Sequence, residues 1–461
     1  MYLTDLALND FRSYTQAVLK LSPGVTTFIG ENGQGKTNLV EAIAYLATFS
    51  SHRVAADAAL VRQGASAGVV RARVQSGDRS TLVELEIISG KANRARINRG
   101  AVKPSELLGL VRTVVFAPED LELVRGDPGS RRRYLDDLMV QFRPRLGGVK
   151  ADYEKVLKQR AALLKAAGKA RRRGGSIDLT TLDIFDTQLA RLGAVITAAR
   201  AEMIGLLRPH VERHYTDVSG GKGIARVDYL ANVDHRTDWE LPSIRAIRDE
   251  SLGPKLEKQI EEHEVELRDS EQVEARLLQA LGEWRNVEIE RGVNLVGPHR
   301  DDLVLSLGTL PAKGYASHGE SWSYALALRL AAWEVLREHE SGEWSGDGEP
   351  ILILDDVFAE LDSRRRQRLT EIVVDAQQVF ITAAVGADVP EELGGARFSV
   401  HEGVVEQIGG PVAEDAGGEA EIDDVAQAET SGEGEVADNA PEPESADTPD
   451  DGSADEAGDD D

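Results

Sequence analysis

Gly30-Glu31-Asn32-Gly33-Gln34-Gly35-Lys36-Thr37 has the G-x-x-x-x-G-K-[ST] spacing of a phosphate-binding loop. The preceding Val25–Ile29 is a short, β-branched apolar run, which predicts a buried strand. The following Asn38–Leu46 places apolar residues at helical spacing without Pro or Gly, which predicts a helix. A strand, a glycine turn and a helix start together make an anion cradle. The turn's N–H groups curl inward and the positive end of the helix dipole faces the phosphates. Lys36 is expected to reach the β- and γ-phosphates of ATP, and Thr37 to take a Mg²⁺ position. Gly30, Glu31, Asn32, Gly33, Gln34, Gly35 and Asn38 would complete the nucleotide contacts.

The loop's partners lie far along the chain. Ile351-Leu352-Ile353-Leu354 ends in Asp355-Asp356, the pattern of a strand buried on both faces of a parallel sheet. Asp355, at the carboxyl end of that strand, is expected to complete the Mg²⁺ shell with Thr37. Asp356 is then the group to orient or deprotonate the attacking water. A solvated acidic turn is the simpler alternative for this pair, and the intact phosphate loop argues against it. Ser317-His318-Gly319-Glu320 opens a strongly helical run, Tyr324–Trp333. This element resembles the signature motif of ATP-binding-cassette ATPases. The resemblance implies that Ser317 and Gly319 cap the γ-phosphate bound by a second copy, in a two-fold symmetric dimer. An ordinary Ser/Gly helix cap is the bland reading of the same residues.

Lys36 and Asp355 stand 319 positions apart. Between them Phe185, Leu189, Leu192, Ile196, Ala199, Met203 and Leu206 alternate four and three apart, a helical seam. Tyr153, Val156, Leu157, Leu163 and Leu164 mark a preceding helix, and Lys255–Leu281 reads as another. These lengths suit a short helical hairpin or bundle rather than a long coiled-coil arm. The expected fold is therefore α/β: a P-loop cassette-type ATPase head built from 1–112 and 290–410, a helical lobe over 113–289, and a disordered acidic tail over 411–461.

Further segments carry a family resemblance. They are Phe11-Arg12-Ser13-Tyr14, Ser51-His52-Arg53, Val115–Leu121 with Gly126-x-Pro128, Arg132–Asp136 and Gly297-Pro298-His299-Arg300-Asp301-Asp302-Leu303. With the loop, signature and Asp-Asp elements, this ordered set over about residues 1–408 resembles the RecF family of bacterial DNA replication and repair proteins, within the cassette/chromosome-maintenance ATPase superfamily. The resemblance implies ATP-dependent homodimerisation and clamping of DNA at single-strand gaps. It also implies work with RecO and RecR to load RecA, in the cytoplasm. It would bring Arg12 to the nucleotide phosphates, a contact that suits a guanidinium. The chain departs from the family at Glu320 and Ser323, where Gln and a basic residue are common, and at Thr382, where many cassette ATPases carry a switch histidine. With Asp356 in place of a longer Glu, slow, weak DNA-dependent hydrolysis is expected, ATP acting mainly as a dimerisation switch.

Net charge is −27, which looks hostile to DNA until it is divided by region. Residues 411–461 hold 20 acidic and no basic residues, so they account for 20 of those charges and leave −7 on the rest. So polar a stretch buries too little surface to offset chain entropy. It could compete with DNA for basic surface, or serve only as a solubilising tail. Basic clusters remain at Arg71/Arg73, Lys91/Arg94/Arg96/Arg99, Arg131–Arg133, Arg171–Arg173 and Arg364–Arg366. Taken singly, each reads as a solvated face; DNA held there would be gripped by its phosphates. Spacing does not choose between a DNA-side role and a structured turn for His299 and Arg300. No cysteine is present, so disulfides are excluded and a zinc site has no thiolate ligands. The N-terminus carries Asp5 and Asp10 without a basic n-region, unlike a signal peptide, and no apolar run approaches a membrane span. Two rival functions stay open: an ATPase subunit driving a membrane partner, and a non-hydrolysing nucleotide-binding scaffold.

Overall fold

The computed structural model describes residues 1–54, 56–173, 180–221, 223–234, 253–338 and 348–411, all within one unit, Met1–Gly418. The expected tail, but for Pro411, and the Gly174-Gly175 tip of the hairpin lie outside the described residues.

The apolar runs on either side of the chain's long middle meet in one sheet. β3 (Gly24–Ile29), β8 (Thr113–Phe116), β12 (Ile351–Asp355), β13 (Gln378–Ala383), β14 (Gly395–His401) and β15 (Val404–Gly409) lie in the order β15-β14-β3-β13-β12-β8. The five strands from β14 to β8 run parallel, and β15 closes the edge antiparallel. Every residue of β12 and β13 is buried, as strands covered on both faces require. Their alternate residues feed two cores. Ile351, Ile353 and Phe380 pack with helix α1 (Lys36–Thr48), while Leu352, Leu354, Val379 and Ile381 face the opposite core.

A second, antiparallel sheet covers α1. Its strands are β1 (Tyr2–Phe11), β2 (Tyr14–Lys20), β4 (Ala67–Ser76), β5 (Arg79–Ile88), β6 (Arg94–Ile97) and β7 (Gly100–Val102), in the order β2-β1-β4-β5-β6-β7. Its inner residues, among them Leu6, Leu8, Val70, Ala72, Val83 and Leu85, join the α1 core. Its other face is a ladder of opposite charges: Arg71 sits across from Glu84, which pairs in turn with Arg96. Arg73 pairs with Asp5, and Arg94 with Glu86. Much of the positive charge counted in the sequence here is spent within the sheet.

The middle of the chain is mainly helical: α2 (Leu121–Arg125), α3 (Pro128–Phe142), α4 (Arg145–Arg172), α5 (Thr180–Ser219), α6 (Gly253–Leu267) and α7 (Ser270–Arg291). α5 runs for 40 residues and buries Leu189, Ile196, Ala199 and Met203 of the expected seam. The single helix expected over Lys255–Leu281 is two. Asp269 breaks it by accepting hydrogen bonds from the amides of Glu271 and Gln272, which caps α7. A small sheet, β11 (Leu310–Pro311), β10 (Asp302–Leu307) and β9 (Ala225–Leu230), returns the chain to helix α8 (His318–Glu338). After β12 come α9 (Val357–Glu360) and α10 (Ser363–Val373).

Arg160 on α4 ties the helices together from a fully buried position. It bonds Asp186 on α5 at 2.6 Å, Glu288 on α7 at 2.6 Å and Asn294 at 2.8 Å. Arg160→Ala leaves Glu288 buried without its cation, while Asp186 keeps only Arg285 at 2.7 Å, so we expect a loss of about 3–5 kcal/mol in urea unfolding. A change below about 1 kcal/mol contradicts this reading of the cluster.

Candidate functional site

β13 separates β3 from β12, so the phosphate loop must cross its end to meet the Asp-Asp pair. Sequence dictates how it does so. Gly30 turns the chain beside β14, where a Cβ would lie 2.2 Å from the Val400 carbonyl oxygen. Gly35, at φ 110°, is the N-cap of α1, a backbone position that a side chain strains. No side chain caps this helix, so its first amides point into the loop. The loop is pinned from outside. The Tyr14 hydroxyl donates to the Gly35 carbonyl at 3.0 Å, and the Glu402 amide donates to Gln34 Oε1 at 2.7 Å.

Lys36 is buried and its Nζ donates to the carbonyls of Gly30 at 2.7 Å and Glu31 at 3.2 Å. This folds the ammonium back over the loop. Thr37 Oγ1 donates to Asp355 Oδ1 at 3.0 Å, joining the two ends of the chain. Thr382 on β13 donates to the same oxygen at 2.6 Å and accepts the Asp356 amide at 2.9 Å. One hydroxyl thus bonds the Asp355 carboxylate and the Asp356 backbone. Asp356 takes the left-handed conformation, φ 52°, which Asp tolerates better than most residues. Burial raises its carboxyl above the ordinary Asp range; Lys36 opposes this, while Asp355, Asp388 and Glu119 reinforce it.

The structure therefore brings Lys36, Thr37, Asp355 and Asp356 together. Two neighbours were not picked out as site residues from the sequence. Glu119 acts on Asp356 by charge, and His52 Nε2 lies 3.9 Å from Asp355 Oδ2, buried and without a hydrogen-bond partner. Both stand in segments quoted for the family resemblance, where no spacing ties them to the loop. His52, Glu119 and Asp137 line a cavity of about 210 Å³.

Arg12 has other partners. Its guanidinium bonds the fully buried Glu41 of α1 at 2.6 and 2.8 Å and the Ala59 carbonyl at 3.0 Å. Asn38 sits beside it, donating to Ser13 Oγ at 2.9 Å and accepting from Arg53 at 3.0 Å. Arg12→Ala is expected to destabilise the chain through Glu41, and to weaken ATP binding if Arg12 reaches the phosphates. Unchanged nucleotide affinity in a titration removes Arg12 from the site.

Ser317 and Gly319 make their contacts elsewhere. The Glu320 carboxylate accepts the Ser317 amide at 2.8 Å, and Ser317 Oγ accepts the Glu320 amide at 3.3 Å, a reciprocal capping box opening α8. Ser317 is exposed and Gly319 half-buried, so this helix start faces outward. The Gly297–Asp302 turn buries Gly297, Pro298 and Asp301 and leaves Arg300 exposed. Arg200 donates to the Pro298 carbonyl at 2.7 Å, and Arg131 clamps Asp302 at 2.8 and 2.9 Å. His299 bonds the Tyr153 hydroxyl at 2.8 Å, and burial lowers its pKa to about 4. Of the two sequence readings left open for His299, the structured turn is the one found.

The donor set suits a magnesium triphosphate. Thr37 and Asp355 present hard oxygens to one point, the kind of ligand Mg²⁺ takes, and the uncapped amides with Lys36 form an anion cradle.

Comparison with known proteins places the chain in a family. The family described as RecF/RecN/SMC N-terminal domain matches residues 2–391. The DNA replication and repair protein RecF of Beutenbergia cavernae is 57% identical over 412 residues, covering 88% of this chain and 100% of that protein. That of Streptomyces avermitilis is 52% identical, with the same coverage. Among solved structures, the recombination mediator protein RecF with ATP in the RecFOR pathway superposes with TM-score 0.72 at 27% identity, covering 88% of this chain and 98% of that one. No described helix is long and apolar enough to cross a membrane.

Proposed function

The chain belongs to the RecF family of DNA replication and repair proteins, and from that premise we propose that it is an ATP-dependent DNA-binding repair ATPase whose dimer forms around ATP. One observation carries the reading. Lys36, Thr37 and the Asp355-Asp356 pair, contributed by opposite ends of the chain, converge at one strand end and are locked there by Thr382.

In this reading the loop amides and Lys36 hold the phosphates, and Thr37 with Asp355 hold Mg²⁺. The metal would neutralise charge between the β- and γ-phosphate oxygens. Asp356, its carboxyl held beside Lys36, orients the water and accepts its proton. Ser317 and Gly319 of a second copy seal the γ-phosphate from the other side. Thr382 is occupied with the two aspartates and takes up no proton at neutral pH, so hydrolysis is slow and ATP acts as a dimerisation switch.

The head is assigned to 1–112 and 290–410 and the helical lobe to 113–289, with Thr113–Phe116 lent to the head's sheet as β8. The dimer would clamp DNA at single-strand gaps and, with RecR and RecO, promote loading of RecA in the cytoplasm. The RecFOR-pathway description of the solved relative supports this placement. Gapped DNA titrated with and without ATP tests it. ATP should tighten binding, and affinity should fall steeply with salt. Equal affinity in both conditions, across the salt series, contradicts it.

A further inference from the structure

Arg364-Arg365-Arg366 reads in the sequence as a basic cluster of no evident use, and the structure separates its members. Arg366 turns inward to the Phe358 carbonyl at 2.8 Å. Arg365 instead reaches across to the signature helix. Its Nε donates to Ser323 Oγ at 2.9 Å, and its Nη1 pairs with Asp362, the N-cap of α10. The third nitrogen, Nη2, is the group nearest Gly319: a Cβ built there would lie 2.9 Å from it. A side chain at position 319 would push the Arg365 guanidinium aside.

We propose that Arg365 is the cation that the Ser317–Glu320 element presents to the γ-phosphate bound by a second copy of this chain. The inference rests on the dimer reading above. Its physical basis is charge. The opening turn of α8 carries Glu320, and α10 opens on Asp362, so a triphosphate approaching this face meets carboxylates. The cation that touches Gly319 itself is the Arg365 guanidinium, still 22% exposed and held by two fixed partners. A guanidinium so oriented gives phosphate oxygens a directional, permanently charged donor. Ser323 is the acceptor that aims it. The same contact links α10, which follows the Asp-Asp strand, to the helix that seals the partner's nucleotide.

The test uses full-length wild-type, Arg365→Ala, Arg365→Lys and Lys36→Ala chains. Sedimentation reads dimerisation with Mg-ATP, and a fluorescent ATP analogue at low protein concentration reads binding by the monomer. Arg365→Ala should bind the analogue like wild type yet dimerise about 10- to 100-fold more weakly, the size of a charge-assisted hydrogen bond. Arg365→Lys should recover part of the loss. Mixing Arg365→Ala with Lys36→Ala chains should restore hydrolysis, because the mixed dimer holds one site with an intact loop from one chain and an intact Arg365 from the other. Dimerisation of Arg365→Ala equal to wild type, or a mixture as inactive as its components, overturns the proposal while leaving the dimer reading intact. A wild-type chain that stays monomeric with Mg-ATP overturns both.

Discussion

Replacing Lys36 with alanine lowers ATP affinity by about 100-fold or more, on the order of 3 kcal/mol, and leaves the fold standing. The expectation follows from where the ammonium sits. It is 3% exposed and bonded only to carbonyls of its own loop, so it is already desolvated and aimed before phosphate arrives. Little ordering cost then opposes its charge-assisted bonds to the β- and γ-phosphates. Alanine removes those bonds and the brace between α1 and Gly30, while the Tyr14–Gly35 and Glu402–Gln34 contacts still hold the loop. Isothermal titration with Mg-ATP checks the value, and an affinity within about threefold of wild type contradicts the assignment.

Asp356→Asn is expected to slow hydrolysis by about 10²–10⁴-fold with ATP affinity little changed. Asparagine has the same shape and tolerates the left-handed backbone at φ 52°, and the backbone N–H of residue 356 still donates to Thr382. What it loses is the ability to accept a proton from water. Asp355→Asn is a different experiment, because Asp355 Oδ1 accepts from both Thr37 and Thr382 and its charge is the one proposed to hold Mg²⁺. The neighbouring substitutions should therefore separate: Asp356→Asn a chemical defect, Asp355→Asn a loss of metal-dependent binding. Single-turnover hydrolysis beside equilibrium binding reads both. An Asp356→Asn chain that turns over within about fivefold of wild type removes Asp356 from the water-activating role.

What could be read from the sequence was local. The phosphate loop, the β12 strand and the α5 seam each declare themselves through spacing within a few residues, and the structure places them as strand, loop and helix accordingly. Strand order was not legible, because it depends on contacts hundreds of residues apart. Thr382 stood out only as a threonine where many cassette ATPases are expected to carry a switch histidine. Its pair of hydrogen bonds, to the Asp355 carboxylate and from the Asp356 backbone amide, follows from β13 lying between β3 and β12. The break at Asp269 was hidden inside a stretch dense in helix formers, where one capping side chain outweighs the surrounding propensity. Charge runs misled in a different way. Arg131, Arg132 and Arg366 read as surface cations but spend themselves on Asp302, the Asp301 carbonyl and the Phe358 carbonyl.

The central claim is that two copies of this chain enclose ATP, each sealing the nucleotide held by the other. Sedimentation velocity of the Asp356→Asn chain, with and without Mg-ATP, tests it most directly, because blocked hydrolysis preserves whatever ATP assembles. The expected result is a monomer alone, a dimer with Mg-ATP, and a return to monomer when Lys36→Ala is added to the same chain. A particle of unchanged size at saturating Mg-ATP and high protein concentration contradicts it.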